Sequence, residues 1–294
     1  MIRRFYDTLY KSKRKIGAIE SLKQHRRLLL LRSLLSQCAI LTIFVGCGSG
    51  RELALVENGD VIGIDISHRA LAEARDIERR VLLVVGDALQ LPFRDGIANQ
   101  VVISETLEHL SQPTQALDEI CRICAEEANL IVTFPNALSI WGFAKQALEL
   151  LLRRRVTASN QPIDTWFTLS SLKALLAARF EFISVQGAWY FPPLGKDMAT
   201  IESEPLAEVM KRLVGIDVLL GRILPSLGHV VGVKAVQHRI QEPHSQLEKV
   251  YLDPKCKANA KNSNQATLRP KLATANDPPK VTRQTKEIAA GKCK

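Results

Sequence analysis

The chain has 294 residues, of which 46% are hydrophobic, and its formal net charge is +10. This length and apolar content suffice for one large domain with appendages or for two small domains. The basic charge lies at the two ends, because residues 1–36 hold ten Lys and Arg against two acids and residues 238–294 hold twelve against five. The middle of the chain is therefore mildly acidic, which disfavours a nucleic-acid-binding core. The basic ends could contact nucleic acid or anionic lipid, or could be solvated extensions.

The cysteines and the longest apolar stretch bear on the cellular compartment. The six cysteines have no disulfide-framework spacing. No apolar signal-peptide core follows Met1–Phe5. The longest uncharged apolar stretch, around Leu34 to Val45, is shorter than the roughly 20 residues that span a bilayer. The sequence thus predicts a cytoplasmic protein with reduced thiols.

The first elements in chain order are a basic helix and five short apolar runs. Apolar residues from Ile19 to Leu30 have helical spacing among many cations, so residues 1–37 are expected to form a basic helical segment. The runs that follow are continuous rather than alternating, as in strands buried on both faces of a parallel sheet. They cover 40–45, 60–65, 81–85, 100–104 and 129–134.

Helical segments lie between the apolar runs. One follows Ser67, an N-cap residue type, and another follows Pro113. Alternating strands and helices predict an α/β fold with a doubly wound, mostly parallel sheet. The remaining predicted elements are helices over 138–153, 169–180 and 205–222 and strands over 181–185 and 229–236.

The predicted domain covers residues 38–237, with the helix-like 205–222 as an insertion before the last strand. Residues 238–294 lack periodic apolar spacing and are rich in Lys, Asn, Ala, Thr and Pro. Such a composition cannot repay the entropy of folding, so these residues are expected to form a disordered basic tail.

Three alternating glycines, Gly46, Gly48 and Gly50, directly follow the first apolar run. A strand that leads into a glycine turn and then a helix brings the backbone close to a bound nucleotide. Glycine suits this turn because a side chain would block the approach and some turn positions need φ > 0.

Two aspartates end the next two strands. Asp65 lies 19 positions after Gly46, where a carboxylate can accept hydrogen bonds from both hydroxyls of a ribose. Asp87 could accept from the exocyclic amine of a purine, with Ala88 and Leu89 offering backbone groups and apolar contact. An ordinary turn or capping aspartate is the alternative at both positions.

These segments together resemble the class I S-adenosylmethionine-dependent methyltransferases, most closely the branch that acts on small molecules and lipids, including the quinone-biosynthesis type. The likeness covers roughly residues 38–137. It depends on the order and spacing of Val45–Gly50, Gly63–Ser67, Gly86–Phe93, Ser104–Leu110 and Val132–Asn136.

The resemblance implies that the cofactor is S-adenosyl-L-methionine, with the glycine turn at its methionine part, Asp65 at the ribose and Asp87 at the adenine. It also implies a seven-stranded Rossmann-like sheet whose last strand is antiparallel. The residues predicted to bind the cofactor are Gly46, Cys47, Gly48, Ser49, Gly50, Asp65, Ile66, Asp87, Ala88, Leu89 and Ser104.

One departure from the family pattern leaves a non-catalytic alternative open. The family usually has an acid two positions before the first glycine, near the methionine amino group, and this chain has Phe44 there. A scaffold that kept the fold without the activity is therefore the first alternative. A dinucleotide-dependent oxidoreductase is disfavoured, because Arg51 occupies the third-glycine position of its motif and the Asp87 segment is unexplained.

His109 follows the fourth strand, where a substrate would meet the methyl group. It is predicted either to take the proton from an attacking nucleophile or to anchor its loop. Cys121 and Cys124 form a Cys-x-x-Cys on a predicted helix, without the further ligands of a metal site, so core packing is expected.

The segment 138–227 supplies most of the aromatic and amphipathic material beyond the cofactor half. Its aromatics are predicted either to cover the substrate or to form core: Trp141, Phe143, Trp166, Trp189, Tyr190 and Phe191. Apolar residues at helical spacing over a pocket mouth would favour a small-molecule or lipid-linked acceptor over nucleic acid. The cationic run Arg153–Arg155 points the other way, or could meet a lipid phosphate.

Overall fold

The computed structural model describes residues 2–10, 17–75, 81–153, 162–191 and 204–238. Within them lies a seven-stranded sheet of order β3-β2-β1-β4-β5-β7-β6. The first five strands are parallel, and β7 pairs antiparallel with both β5 and β6. The strands are β1 (Leu41–Val45), β2 (Asp60–Asp65), β3 (Val81–Val85), β4 (Ala98–Ser104), β5 (Cys124–Pro135), β6 (Phe180–Ala188) and β7 (Val230–Gln237).

Helices cover both faces of this sheet, so the predicted mostly parallel, doubly wound fold is confirmed. They are α1 (Ile2–Leu9), α2 (Ala18–Leu34), α3 (His68–Ala74), α4 (Pro113–Ile123), α5 (Ile140–Leu152), α6 (Leu169–Leu176), α7 (Glu204–Arg212) and α8 (Val214–Ile223). Two predictions need correction. The insertion predicted as one helix over 205–222 is two helices, and the helix predicted over 169–180 ends at Leu176 because Phe180 starts β6.

Side-chain alternation along β1 divides the core between the two faces of the sheet. Ile43 and Val45 pack with α4 and α6 on one face. Phe44 points to the other face, where it packs against α2 residues that include Leu31 and Leu34. Phe44 is only 1% exposed. The residue at the position of the family's usual acid is therefore a core residue of this fold.

The expectation that all five runs are buried on both faces is wrong for β3. β3 is one of the two edge strands of the sheet, and its Leu82 and Val85 are 59% and 41% exposed. An edge strand lacks a neighbour on one side, so fewer side chains and helices can cover it.

Several predicted features lie outside the described residues. These are Arg154 and Arg155 of the cationic run, and the tail from residue 239 onward. Among the residues that the structure describes, no helix is long and apolar enough to cross a membrane.

Candidate cofactor-binding site

The glycine turn after β1 lies against two neighbouring strands. The amides of Gly46 and Cys47 both donate to the carbonyl of Ile64, at 2.8 and 3.1 Å. Gly46 has φ +73°, and a Cβ on it would lie 2.4 Å from the side chain of Thr106. The conformation and the lack of space both require glycine here. The backbone of the turn is thereby exposed toward the carboxyl ends of the strands.

Asp65 links the glycine turn to the start of α3. Its Oδ2 accepts a hydrogen bond from the Gly48 amide and its Oδ1 accepts one from the Ser67 amide, both at 2.8 Å. Burial raises the pKa of Asp65, while these two backbone hydrogen bonds act in the opposite direction. Each carboxylate oxygen has a further lone pair, so Asp65 can also accept hydroxyl donors from a ligand.

A cavity of about 290 Å³ opens beside this turn. Ten of the eleven residues predicted to bind the cofactor line it, and they come from four strand ends. They are Gly46, Cys47, Gly48, Ser49, Asp65, Ile66, Asp87, Ala88, Leu89 and Ser104. Segments that are far apart in sequence therefore form one contiguous wall of the cavity.

Gly50 is the one predicted residue that is not in the cavity lining. It has φ +79°, its amide donates to the Cys47 carbonyl at 2.9 Å, and its carbonyl accepts from the Leu53 amide. Gly50 therefore shapes the turn through its backbone hydrogen bonds, and its contact with the cofactor stays a prediction.

Asp87 follows β3 at the far side of the cavity. Its Oδ1 accepts a hydrogen bond from the Leu89 amide at 2.9 Å, which holds the turn that carries Ala88 and Leu89. The preceding Gly86 has no room for a side chain, since a Cβ would lie 2.6 Å from Ile64. Asp87, Ala88 and Leu89 all line the cavity, so the adenine role of this segment stays a prediction that the geometry allows.

Helix α1 forms a wall of the cavity that sequence reasoning missed. The cavity is lined by Ile2, Tyr6 and Leu9 of α1 and by Tyr10, which directly follows the helix. The Tyr10 hydroxyl lies against Gly48, where it would be 2.6 Å from a Cβ. The apolar spacing of Ile2, Tyr6 and Leu9 is a helical signal that could have identified an amphipathic helix here. It could not have shown which surface that helix covers.

Polar contacts fix α1 in this position. The Ser67 hydroxyl donates to Asp7 Oδ1 at 2.7 Å and the Arg69 amide donates to the same oxygen at 3.5 Å. Burial, together with the carboxylates of Glu108, Asp65 and Asp164, raises the pKa of Tyr6 to about 12. Tyr6 is therefore a neutral phenol at the cavity wall.

A cation and two acids meet at the carboxyl ends of β1 and β4. Arg27 of α2 contacts Glu52 Oε1 through Nη2 at 2.9 Å and Glu105 Oε2 through Nη1 at 3.1 Å. The Ser104 hydroxyl donates to Glu52 Oε1 at 2.9 Å. All four residues line the cavity. Ser104 thus acts on the site through Glu52, in addition to lining it.

His109 lies at the cavity edge with its ring fixed by one hydrogen bond. Its Nδ1 is 2.9 Å from the carbonyl oxygen of Ile163, and a carbonyl can only accept, so Nδ1 carries the proton. Nε2 lies 3.9 Å from Glu108 Oε1. The Nδ1 contact supports the loop-anchoring alternative, and the base alternative stays a prediction. Next to it, burial and the charge of Glu105 raise the pKa of Glu108 well above its usual range.

The predicted aromatic substrate cover is not part of the cavity lining. Trp141 and Trp166 flank the buried His229, with ring centroids at 4.8 and 5.6 Å. Trp189 is 2% exposed and packs with Met210, whereas Phe143 is 59% exposed. None of the described residues of segment 138–227 lines the cavity. The cavity wall that the sequence assigned to these aromatics is formed instead by residues of α1.

The two cysteines of the Cys-x-x-Cys do not share one helix as predicted. Cys121 is in α4 and accepts a hydrogen bond at Sγ from Gln237, while Cys124 starts β5 and is buried. Burial raises the pKa of both thiols. Their surroundings are those of packed side chains between α4 and the sheet.

Residues 43–132 match the family described as "Methyltransferase domain". Curated relatives include ajmaline N-methyltransferase from Rauvolfia serpentina (30% identical, covering 45% of this chain and 49% of that protein). Two more are demethylmenaquinone methyltransferase from Shouchella clausii (28%; 43% and 59%) and tRNA (carboxymethyluridine(34)-5-O)-methyltransferase from Arabidopsis thaliana (30%; 46% and 32%). The matches thus span from about a third to just under 60% of these relatives.

Solved structures share the fold over most of the chain. A S-adenosylmethionine-dependent methyltransferase from Thermotoga maritima has a TM-score of 0.53 at 17% identity, covering 80% of this chain and 94% of that one. Magnesium protoporphyrin IX methyltransferase from Synechocystis, solved with S-adenosylhomocysteine, has a TM-score of 0.54 at 12% identity, covering 81% and 98%. At these identities the likeness concerns the fold.

Proposed function

We propose that this chain, a class I S-adenosylmethionine-dependent methyltransferase by domain match and fold, methylates an O, N or C nucleophile of a small-molecule or lipid-linked acceptor. One observation carries the proposal. The glycine turn, Asp65 and Asp87 converge on a single cavity, and all of them lie in the matched segment 43–132.

The residues of the cavity fit S-adenosylmethionine. The Gly46–Ser49 backbone would hold its methionine part, Asp65 the ribose hydroxyls and Asp87 with Leu89 the adenine. The bound cofactor supplies a methyl group on a positively charged sulfur, and transfer breaks the sulfur–methyl bond and leaves S-adenosylhomocysteine. The contribution of the protein is to hold the nucleophile and the methyl carbon in line, which can account for most of the rate.

His109 is proposed to receive the proton that the nucleophile loses. His109 lines the cavity, its Nδ1–H is fixed on the Ile163 carbonyl and its Nε2 lies 3.9 Å from Glu108 Oε1. General-base help of this kind contributes about 10²–10⁴-fold. The role predicts that His109→Gln lowers turnover while the dissociation constant of S-adenosylmethionine stays unchanged. The exposed His68 of α3 provides the control variant His68→Gln.

The charges around the cavity support a small acceptor over nucleic acid. Among the described residues, its charged lining comprises four acids, Glu52, Asp65, Asp87 and Glu105, and two cations, Arg27 and Arg51. A phosphate backbone would be repelled by this surface, since nucleic-acid binding depends on clustered cations. The ajmaline and demethylmenaquinone relatives are consistent with small acceptors, while the tRNA relative makes RNA the outcome to be tested.

The basic ends of the sequence fit a lipid-linked acceptor. Residues 1–36 and 238–294 both carry a clear excess of Lys and Arg. Such segments are attracted to anionic membrane surfaces. In this proposal, α1 and α2 belong to the catalytic unit because they line its cavity, although the sequence predicted a domain that begins at residue 38. The remaining cations of the two basic segments bring this unit to a membrane that holds the acceptor.

Labelled cofactor tests the proposal directly. The full chain is incubated with cell extract and S-adenosylmethionine labelled in the methyl group, and lipid, small-molecule, RNA, DNA and protein fractions are counted separately. Asp65→Ala is the inactive variant and Asp60→Ala, at the exposed start of the same strand, is its control. Label in the lipid or small-molecule fraction is expected. Label confined to nucleic acid would overturn the acceptor class, and tight cofactor binding without any label would favour the scaffold alternative.

A further inference from the structure

Phe44 poses a binding problem at the methionine end of the cofactor. That end carries an α-ammonium and an α-carboxylate, and the resemblance places an acid near the ammonium at the position that Phe44 occupies. Phe44 is 1% exposed among apolar side chains on the α2 face of the sheet. A charged ligand group cannot be recognised from this position, so the charges must come from elsewhere.

Helix α2 carries a charged side chain to the place where the glycine turn begins. Leu31 of α2 packs in the same cluster as Phe44, and Arg27 lies one helical turn earlier on the same face. The Arg27 side chain, 23% exposed, enters the cavity between Glu52 and Glu105. Arg27 has five N–H donors, of which Nε is buried without a partner among the described residues.

The two acids beside Arg27 are differently engaged. Glu52 is 9% exposed, and its Oε1 accepts hydrogen bonds from both Arg27 and Ser104. Glu52 therefore holds the Arg27 side chain in position. The Glu105 side chain is 27% exposed, and its contact with Arg27 engages Oε2. Glu105 is therefore the acid that is better able to accept from a ligand.

The backbone around Glu105 places it next to the first glycine. The following residue, Thr106, lies against Gly46, and its hydroxyl is 3.4 Å from the Gly46 carbonyl. Glu105 has φ +47°, a strained conformation for a non-glycine residue that is concentrated at functional sites. Its amide donates to the Thr133 carbonyl at 2.9 Å, which holds this conformation. Burial acts to raise the pKa of Glu105, but the surrounding charges, Arg27 first, together outweigh it and lower this pKa.

We infer that Glu105 accepts hydrogen bonds from the α-ammonium of the cofactor. Arg27, held in place by its ion pair with Glu52, binds the α-carboxylate. This pair would replace the acid that is missing at Phe44. The inference rests on the proposed function, since it takes S-adenosylmethionine as the ligand of this cavity. It assigns the recognition of the amino-acid end to α2 and to the turn after β4.

Calorimetry with three ligands tests the pair. S-adenosylhomocysteine carries both charged groups, decarboxylated S-adenosylmethionine keeps only the amine, and 5′-methylthioadenosine lacks both. Glu105→Gln is expected to weaken S-adenosylhomocysteine binding about 10- to 100-fold and to leave methylthioadenosine binding unchanged. Arg27→Met is expected to weaken S-adenosylhomocysteine binding to a similar extent, with binding of the decarboxylated cofactor unchanged or tighter.

Arg32→Met is the matched control, because Arg32 lies on the same helix but pairs with the exposed Glu57 outside the cavity lining. Glu105→Asp and Arg27→Lys keep the charges, and they replace Glu105→Gln and Arg27→Met in the titrations if those variants do not fold. They are expected to retain part of the discrimination between the ligands. Equal losses for S-adenosylhomocysteine and methylthioadenosine, or no loss for either, would overturn the inference alone. A wild-type chain that binds none of the three ligands would instead overturn the proposed function and this inference with it.

Discussion

The hydroxyl of Ser67 donates a hydrogen bond to Asp7 at 2.7 Å, across 60 residues of sequence. Ser67 also caps α3 through the Ala70 amide and follows Asp65, which holds the glycine turn. One side chain thereby connects the cavity floor to the helix that covers it. Helix α1 is thus attached to the turn after β2, which carries Asp65, the residue proposed to bind the ribose.

Loss of this connection should loosen α1 over the cofactor. We expect Asp7→Ala to raise the dissociation constant of S-adenosylmethionine several-fold, because Tyr6 and Tyr10 would no longer be held over the cavity. Thr8→Ala is the control, since Thr8 bonds only within α1, to the Arg4 carbonyl. Isothermal calorimetry measures both. An Asp7→Ala variant that binds as tightly as the Thr8→Ala variant would show that α1 does not contribute to binding.

Asp65 is expected to be the most sensitive position for cofactor binding. Its carboxylate accepts two backbone hydrogen bonds, and ribose hydroxyls would add to them. Asp65→Ala should cost about 1.5–3 kcal/mol of binding free energy, the scale of hydrogen bonds to a charged group. Melting temperature should also fall, because Gly48 and Ser67 lose their acceptor.

The exposed Asp60 separates the ligand effect from a general effect of charge on the same strand. Asp60→Ala should leave calorimetric affinity and melting temperature unchanged. If Asp65→Ala binds S-adenosylmethionine like Asp60→Ala does, the ribose assignment is wrong.

How much of this site the sequence could predict depends on sequence separation. The strands, the Ser67 cap and the glycine turn are local patterns, so spacing and residue type were enough to place them. The contact between Arg27 and Glu105 joins residues 78 apart, and that between Arg26 and Asp217 joins residues 191 apart. No local pattern specifies such contacts, because they depend on how α2 crosses the finished sheet. The aromatic residues misled for the same reason, since their type does not say which surface they face.

The buried His229 should make stability fall in mild acid. Burial, with the nearby charge of Lys23, lowers the pKa of His229 from 6.5 to about 3, against the opposing effect of Glu105. Below pH 6.5 the unfolded chain takes up a proton that the folded chain does not. The free energy of unfolding should therefore decrease as pH falls from about 6.5 toward 3, by up to ~1.4 kcal/mol per pH unit.

His229→Phe keeps a ring between Trp141 and Trp166 and removes the ionisable group. It is expected to flatten the decline in unfolding free energy between pH 6.5 and about 5, as measured by urea titrations. His25→Phe, at an exposed position of α2, should leave the decline in place. Parallel pH profiles of wild type and His229→Phe would contradict this explanation.

A chain that ends at His238 is expected to keep its fold and its cofactor affinity. Gln237 donates to the Cys121 carbonyl at 3.1 Å and the His238 amide donates to the Arg179 carbonyl at 2.9 Å, so the last strand is anchored up to this point. Thermal melting and calorimetry should match the full chain. A chain ending at Val233, which loses half of β7, should fail to fold. A weaker affinity at unchanged melting temperature for the first truncation would show that residues 239–294 contribute to the site.

The buried ion pair between Arg26 and Asp217 is expected to be essential for stability. Arg26 Nε and Nη2 both contact Asp217 Oδ2 at 2.7 Å, and the two side chains are 4% and 0% exposed. Asp217 also accepts hydrogen bonds from the amides of Trp189 and Tyr190, at 3.2 and 2.8 Å. The pair therefore joins α2, α8 and the end of β6.

Removal of one partner leaves a buried charge without its counterion. Arg26→Met and Asp217→Leu should each lower the free energy of unfolding by about 3–5 kcal/mol. The combined variant should not recover the loss, because the two backbone amides would remain without an acceptor. Urea unfolding of the three variants measures this, with the exposed pair variant Arg32→Met, which removes the partner of Glu57, as the control that should change little. A double variant as stable as wild type would show that the amides find another acceptor and that Asp217 acts only as a counterion.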